Sequence, residues 1–327
     1  MLGVFGGSMN LIRVCALSVV LCVTVAVTMS AHRAAEQPTF EAAHPPATDQ
    51  ISDKRPWSWE RDFANVAPSA EPGAGYTIKV ASRDARLFPY RAIVSFSGLD
   101  GMCNGVLYGE NVVMTAAHCV EWPIPGTPDV QTATPAQVTF DNARRLPGCA
   151  PNGKLLARVE VASGWGAADR AIAAANDYAA LILNCAPGRA LGWVGFGYQR
   201  TPYGDGAVVG YWPPEPTAPP VNVLKRVWGT LAPSDRFDGL VFYNATTQPG
   251  VSGSPVFAAA NSGACPHCVV AIHVHPSEDI PGAPAGKKAG VLITGKVFSD
   301  FVRWRSGSGR SDQLGTVKFQ SGVRLKR

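Results

Sequence analysis

Apolar residues along this chain gather in short runs rather than in helical stripes. AIVSF at 92–96, GVLYG at 105–109, VVMTAA at 112–117 and DYAALIL at 177–183 are rich in β-branched residues and are bounded by turn-formers, the pattern of strands. After a Gly/Pro-rich passage at 186–205 a second set follows: AVVGYW at 207–212, LVFYN at 240–244, PVFA at 255–258, VVAIHVH at 269–275 and GVLIT at 290–294. Two similar-sized antiparallel β units are predicted, residues 77–190 and 191–305. Only VFSDFVRWR, 297–305, sets apolar side chains at 297, 298, 301, 302 and 304, as one helical face requires. The fold class is therefore all-β, closed by a C-terminal helix.

Residues 14–29 are a charge-free apolar run of 16 residues, preceded by Arg13 and followed by the small residues Ser30 and Ala31. This is the pattern of a secretory signal peptide over 1–30, and the run is shorter than the roughly 20 residues of a membrane-spanning helix. The remainder is expected in an oxidising space, secreted or periplasmic, with no membrane association unless the leader stays uncleaved. Residues 31–76 are polar, Pro-rich and aperiodic, and are expected to be a propeptide or linker.

Composition narrows the picture further. Hydrophobic residues make up 46% of the 327, and 34 glycines with 27 prolines disfavour both disorder and an all-helical chain. The formal charge is +5, yet residues 303–327 alone hold seven basic residues and one acidic, leaving 22 basic against 23 acidic elsewhere. The body therefore offers no basic footprint for nucleic acid, and 306–327 reads as a basic flexible tail.

Three segments carry candidate chemistry, in the order His, Asp, Ser. TAAHCV at 115–120 ends an apolar strand in small residues and delivers His118 to a turn beside Cys119, with Cys103 sixteen positions earlier across a hairpin. Asp177 stands at the head of the apolar DYAALIL run, whereas Asp141 and Asp169 do not lead into a strand that could shield a carboxylate. QPGVSGSPVF at 248–257 flanks Ser252 with Gly250 and Gly253, which lets the backbone turn so that N–H groups converge on one point. Ser252 is the candidate nucleophile, the N–H groups of Gly250 and Ser252 the candidate oxyanion hole, and Ser254, already next to Pro255, the rival.

Together, TAAHC with its partner cysteine, D-Y-A-x-L before a strand and G-x-S-G-S-P resemble the chymotrypsin-like serine peptidases over about residues 77–305. The resemblance implies two antiparallel Greek-key β-barrels with the site between them, and a triad of His118, Asp177 and Ser252 that hydrolyses peptide bonds through an acyl-enzyme. Six cysteines follow the leader, allowing 15 pairings. The motif favours Cys103 with Cys119, and hence Cys149 with Cys185 and Cys265 with Cys268. The implied partners are protein or peptide substrates, met by a monomer without a cofactor.

The pattern also departs from digestive members of that family. Val251 occupies the place of their aspartate before the nucleophile, and no Ile-Val-Gly-Gly segment precedes the first strand, so activation through a new α-amine is not expected. If 31–76 keeps a zymogen silent, it does so by another contact. G-x-S-G-S-P is similar to the bacterial glutamyl endopeptidase branch. Thr246 at the base of the primary pocket provides no carboxylate for Arg or Lys, while Thr247 and His273 match the positions that bind a substrate carboxylate in that branch. Cleavage after Glu is the resulting expectation.

CPHC sets Cys265, His267, Cys268, His273 and His275 within eleven residues, but one CxxC in an exported chain reads as a hairpin disulfide rather than a metal site. The competing function is a catalytically silent relative that binds a partner through the cleft between the barrels.

Overall fold

The computed structural model describes residues 39–44, 77–123, 130–134, 137–141, 146–150, 155–198, 204–214, 222–258 and 268–307. The leader, most of 31–76 and the basic tail beyond 307 lie outside them.

Strands β1 (Thr39–Glu41) and β2 (Thr77–Lys79) precede β3 (Ile93–Gly98), β4 (Gly101–Leu107), β5 (Val112–Thr115), β6 (Glu121–Pro123), β7 (Val130–Thr132), β8 (Thr139–Phe140) and β9 (Leu156–Val161). Helix α1 (Arg170–Ala175) leads to β10 (Ala179–Leu183), and helix α2 (Gly188–Leu191) to β11 (Gly195–Tyr198). Then come β12 (Asp205–Trp212), β13 (Val223–Pro233), β14 (Leu240–Tyr243), β15 (Pro255–Ala258), β16 (Cys268–Pro276), β17 (Lys288–Leu292) and helix α3 (Gly295–Gly307).

Two β units result. The first is a six-stranded antiparallel sheet in the order β8-β3-β4-β5-β10-β9, an open half-barrel among the described residues. In the second, β12-β13-β14-β17-β16-β15 closes on itself because β15 returns to β12, giving a six-stranded barrel. To this barrel β11 adds parallel to β16, β1 antiparallel to β11, and β2 antiparallel to β13. Residues 39–41 thus contribute a strand from a stretch that shows no periodicity, since three residues are too few to alternate visibly.

The barrel explains why its strands read as continuous apolar runs. Val208 and Trp212 of β12 join Val227, Val241, Tyr243, Val256 and Val270 in one apolar cluster, while their neighbours Ala207, Val209 and Tyr211 join the larger cluster outside it. Both faces of β12 are therefore buried, which removes the polar half of the usual alternation. Helix α3 follows the predicted stripe: Val297, Phe301 and Trp304 are its buried residues. Phe301 meets Tyr108, just after β4, Tyr178, just before β10, and Phe196 from β11, so α3 packs across both units.

Candidate functional site

His118 is delivered by the end of β5. Thr115, Ala116 and Ala117 are fully buried, and the chain then turns, with the amides of Val120 and Glu121 both donating to Ala117 O. Two links hold this turn to the β3–β4 hairpin: the Cys103–Cys119 disulfide and the Leu99 N–H to Cys119 O bond of 2.9 Å. A Cβ on Gly98 would lie 2.1 Å from Cys119 O, so only glycine permits that approach. Closing a loop of this length stabilises the fold by about 3 kcal/mol in the chain-entropy account.

Asp177 does not head the strand itself. It follows Asn176, the C-cap of α1, and β10 begins two residues later at Ala179. The next side chain, Tyr178, anchors the segment, donating from its hydroxyl to Asp300 of α3 at 2.6 Å. The Asp177 carboxylate is completely buried and well supplied with donors. Its Oδ1 accepts the His118 backbone N–H at 2.9 Å, and its Oδ2 lies 2.7 Å from His118 Nδ1 and 3.1 Å from His275 Nε2. Burial pushes this carboxyl up, but the charge and hydrogen bond of His118, with His275, outweigh it and hold the carboxyl below the usual range. For His118, burial works against the imidazolium, yet Asp177 prevails and raises its pKa. Asp169 instead caps α1, accepting from the amides of Ala171 and Ile172, and Asp141 accepts from Ser95 and Asn222.

Ser252 sits in a tight loop before β15. Gly250 and Gly253 have φ of +92° and +79°, a region closed to most side chains. Ser252 O accepts the Asn104 N–H at 2.7 Å, Gly253 N donates to His273 O at 2.8 Å, and the Ser252 hydroxyl donates to Val274 O at 3.3 Å. The Ser254 hydroxyl is buried and given to Val251 O at 2.6 Å, whereas Ser252 is half-buried. Replacing Gly253 by Ala is expected to lower stability sharply. The backbone conformation alone costs about 1–3 kcal/mol, and the new Cβ would lie 2.1 Å from Asn104 O. A urea-denaturation midpoint unchanged in Gly253→Ala would refute this.

The ladder between β16 and β17 runs from Ala271 to His273 and then slips before Pro276. That irregularity, a common device beside active sites, releases residues 274 and 275 toward the loop. Val274 O meets the Ser252 hydroxyl, and the His275 ring stacks on His118 with centroids 5.4 Å apart. Ser252 and His118 thus each meet one of two adjacent residues of β16, Val274 and His275.

The expected pocket residues divide. His273 is buried, with Nδ1 2.7 Å from the Tyr243 hydroxyl. Burial, then the charges of His275, Lys288 and His118, push it down to about 3, so it is neutral at ordinary pH. Thr246 is exposed and Thr247 half-buried on the segment after β14. Two disulfides, Cys103–Cys119 and Cys149–Cys185, are present as expected. Cys268 is disulfide-bonded, while Cys265 and His267 lie outside the described residues.

Two residues at the site were not anticipated in these places. Asn104, fully buried, joins the half-barrel to the barrel: its Nδ2 donates to Tyr211 O and Gly250 O, both at 2.9 Å, and its Oδ1 accepts Tyr211 N–H at 2.7 Å. An amide beside Cys103 in an apolar strand is the signal that marked it, since a buried polar side chain needs partners. His275 was visible only as part of a cysteine-histidine cluster, and its contact with Asp177 is tertiary.

Comparison with known proteins points in one direction. A family model described as a trypsin-like peptidase domain matches residues 103–264. A glutamyl endopeptidase of Bacillus licheniformis is 24% identical over 265 residues, covering 80% of this chain and 78% of the relative. A protein of Bacillus subtilis named extracellular metalloprotease is 26% identical over 256 residues, covering 75% and 72%. A solved Glu endopeptidase structure superposes with a TM-score of 0.51 at 18% identity, covering 72% of this chain and 98% of that one. Residues 103–264 thus carry a trypsin-like peptidase domain, and the barrel and half-barrel have the chymotrypsin-like fold, that of a serine endopeptidase.

Proposed function

We propose that Ser252, His118 and Asp177 are the catalytic triad of this endopeptidase. The observation that carries the assignment is the buried His118–Asp177 pair, 2.7 Å from Nδ1 to Oδ2, beside a serine loop shaped by two left-handed glycines. With its proton fixed on Nδ1 by Asp177, His118 keeps the Nε2 lone pair free. Ser252 gives that lone pair its proton as it attacks the substrate carbonyl, and His118 then passes the proton to the leaving amine. The N–H groups of Gly250 and Ser252 stabilise the oxyanion, and water releases the acyl group by the reverse sequence. The metalloprotease name belongs to the Bacillus subtilis relative; here His118 and Asp177 are already joined in the pair a serine nucleophile requires.

A fluorophosphonate probe tests the nucleophile. Labelling of the purified protein, kept in Ser254→Ala and lost in Ser252→Ala by peptide mass, is expected. Absence of labelling in the wild-type protein, including after limited proteolysis of 31–76, would favour the silent binding protein.

Cleavage after glutamate is the proposed specificity, with His273 and Thr247 as its determinants and Thr246 beside them. The Tyr243 hydroxyl lies 2.7 Å from His273 Nδ1 and 3.2 Å from Ala289 O; in the tautomer proposed it gives its proton to the nearer Nδ1, which leaves the ring proton on Nε2, a donor for a substrate carboxylate. Lys288, whose charge is felt at His273, adds a field that favours an anion and disfavours a cation. In a peptide panel, kcat/KM after Glu is expected at least tenfold above Leu, Phe and Lys; a preference for any of those three would sink the assignment.

Export of the chain through the 1–30 leader, with 31–76 as a prosegment, completes the reading. Its support is the pair of disulfides and the extracellular label of one relative.

A further inference from the structure

The geometry points to a second use of the triad acid: His118 Nδ1, Asp177 Oδ2 and His275 Nε2 form a site for a divalent transition cation, Zn²⁺ above all, that switches the enzyme off reversibly. The inference rests on His118 being the general base. The three donor atoms lie within 4.8 Å of one another, and both ring nitrogens face the same carboxylate oxygen, at 2.7 and 3.1 Å. The rings are stacked, 28° from parallel, so their nitrogen edges run side by side toward Asp177. Two imidazoles and a carboxylate suit Zn²⁺, whose tetrahedral shell sets neighbouring donors about 3.3 Å apart. The two spacings to Asp177 Oδ2 need to open by well under 1 Å to admit it. His118 and Asp177 are buried, but the His275 side chain keeps 21% of its surface exposed and provides the way in.

A second trio of metal-type side chains, Cys103, His118 and Cys119, does not compete. Its sulfurs are joined in a disulfide and cannot act as thiolates.

Inhibition follows from tautomers. Coordination needs the Nδ1 lone pair of His118, so the ring proton leaves Nδ1 and Nε2 takes one up. His275 in the same way loses the Nε2 proton and gains one on Nδ1. No net proton is consumed, and both rings stay neutral. The metal–nitrogen bond of His118 replaces its hydrogen bond to Asp177. The His118 Nε2 now carries a proton, so it has no lone pair with which to accept that of Ser252. The nucleophile is silenced although nothing touches it.

The test uses the full exported chain. Micromolar Zn²⁺ is expected to lower the peptidase rate at least tenfold, with recovery on adding a chelator. The His275→Gln variant, compared with its own metal-free rate, should lose less than twofold. Binding is read independently of hydrolysis with Co²⁺, whose visible ligand-field bands should appear at one equivalent in Ser252→Ala and vanish when His275→Gln is added. In the wild-type protein, one equivalent of Zn²⁺ should also abolish the far-downfield proton resonance of His118 Nδ1–H, a readout that survives if His275→Gln fails to fold. Co²⁺ bands that persist without His275, or a resonance that survives Zn²⁺, would overturn the site. A protein that binds Co²⁺ at His275 but hydrolyses nothing without metal would instead count against the triad assignment.

Discussion

Asp177→Asn is expected to lower kcat/KM by about four orders of magnitude while leaving the fold in place, the size of effect attached to this exchange in the Ser-His-Asp template. The carboxylate accepts two hydrogen bonds, from the His118 backbone N–H and from His118 Nδ1–H, and His275 Nε2 lies 3.1 Å from its Oδ2. An asparagine offers one acceptor oxygen and, in place of the other, an NH2 that only donates. Whichever way it turns, a donor is lost or opposed. If the NH2 faces His118 Nδ1, the imidazole proton moves to Nε2 and blocks transfer from Ser252.

The pH profile separates this from simple unfolding. In the native enzyme Asp177, helped by Asp100, outweighs burial and raises His118. Activity is therefore lost as pH falls through a value above the ordinary histidine pKa of about 6.5. Without the charge of Asp177, burial acts with little opposition, and the acid limb should move to lower pH. The measurement is kcat/KM from pH 4 to 9 for both proteins, with urea midpoints to verify folding. A folded variant that keeps more than a tenth of the rate, or an acid limb that does not move, would remove Asp177 from the mechanism.

Asn104→Ala should give the largest loss of stability from a single side chain at the site, about 3–5 kcal/mol. The Asn104 amide satisfies three backbone groups: Tyr211 N–H, Tyr211 O and Gly250 O. Leaving a buried polar group unpaired costs about 1–3 kcal/mol each, and Asn104 is completely buried. The same bonds tie β4 of the half-barrel to β12 of the barrel and fix the peptide that follows Gly250. The rate of fluorophosphonate labelling at Ser252 should therefore fall along with the urea midpoint. A loss below 1 kcal/mol would show that the loop holds its shape without this clamp. An unchanged labelling rate in a destabilised variant would confine Asn104 to the fold.

Much of this architecture could be read from the chain because the relevant signals are local. The runs at 92–96, 105–109, 112–117, 207–212, 240–244, 255–258, 269–275 and 290–294 each overlap a strand, although several strands begin or end outside the run, since β-branched residues between turn-formers have few alternatives. The helix at the C-terminus shows its buried stripe directly. His118 and Ser252 were identifiable because their neighbours, a cysteine and two alanines in one case and flanking glycines in the other, are required by the local backbone.

What the sequence did not reveal is equally specific. Strands β9, β11 and β13 escaped notice: LARVEV and VLKRVWGTLAP mix charge with apolar residues, and GFGY lies in a passage whose glycines read as turns. Here the sheet overrides local preference, as in β11, where Gly195 and Gly197 allow β1 to approach within reach of Glu41 O and Thr39 O. Closure of one unit and openness of the other depend on whether β15 pairs with β12 and β16 with β17, contacts that no run of residues encodes by itself.

The division is sharpest at the site. Residue type and pattern, by themselves, pointed to an all-β chain and to a histidine, an aspartate and a serine in order, because each signal lies in neighbouring residues, whereas the two disulfide pairings came through the resemblance of the motif to a peptidase family. Only the tertiary structure decided that Asp177 follows a helix, that Asn104 clamps the serine loop, and that His275 shares the oxygen that orients His118. Those three facts depend on where separate segments meet, and a slip in one ladder, between His273 and Pro276, was enough to set the last of them.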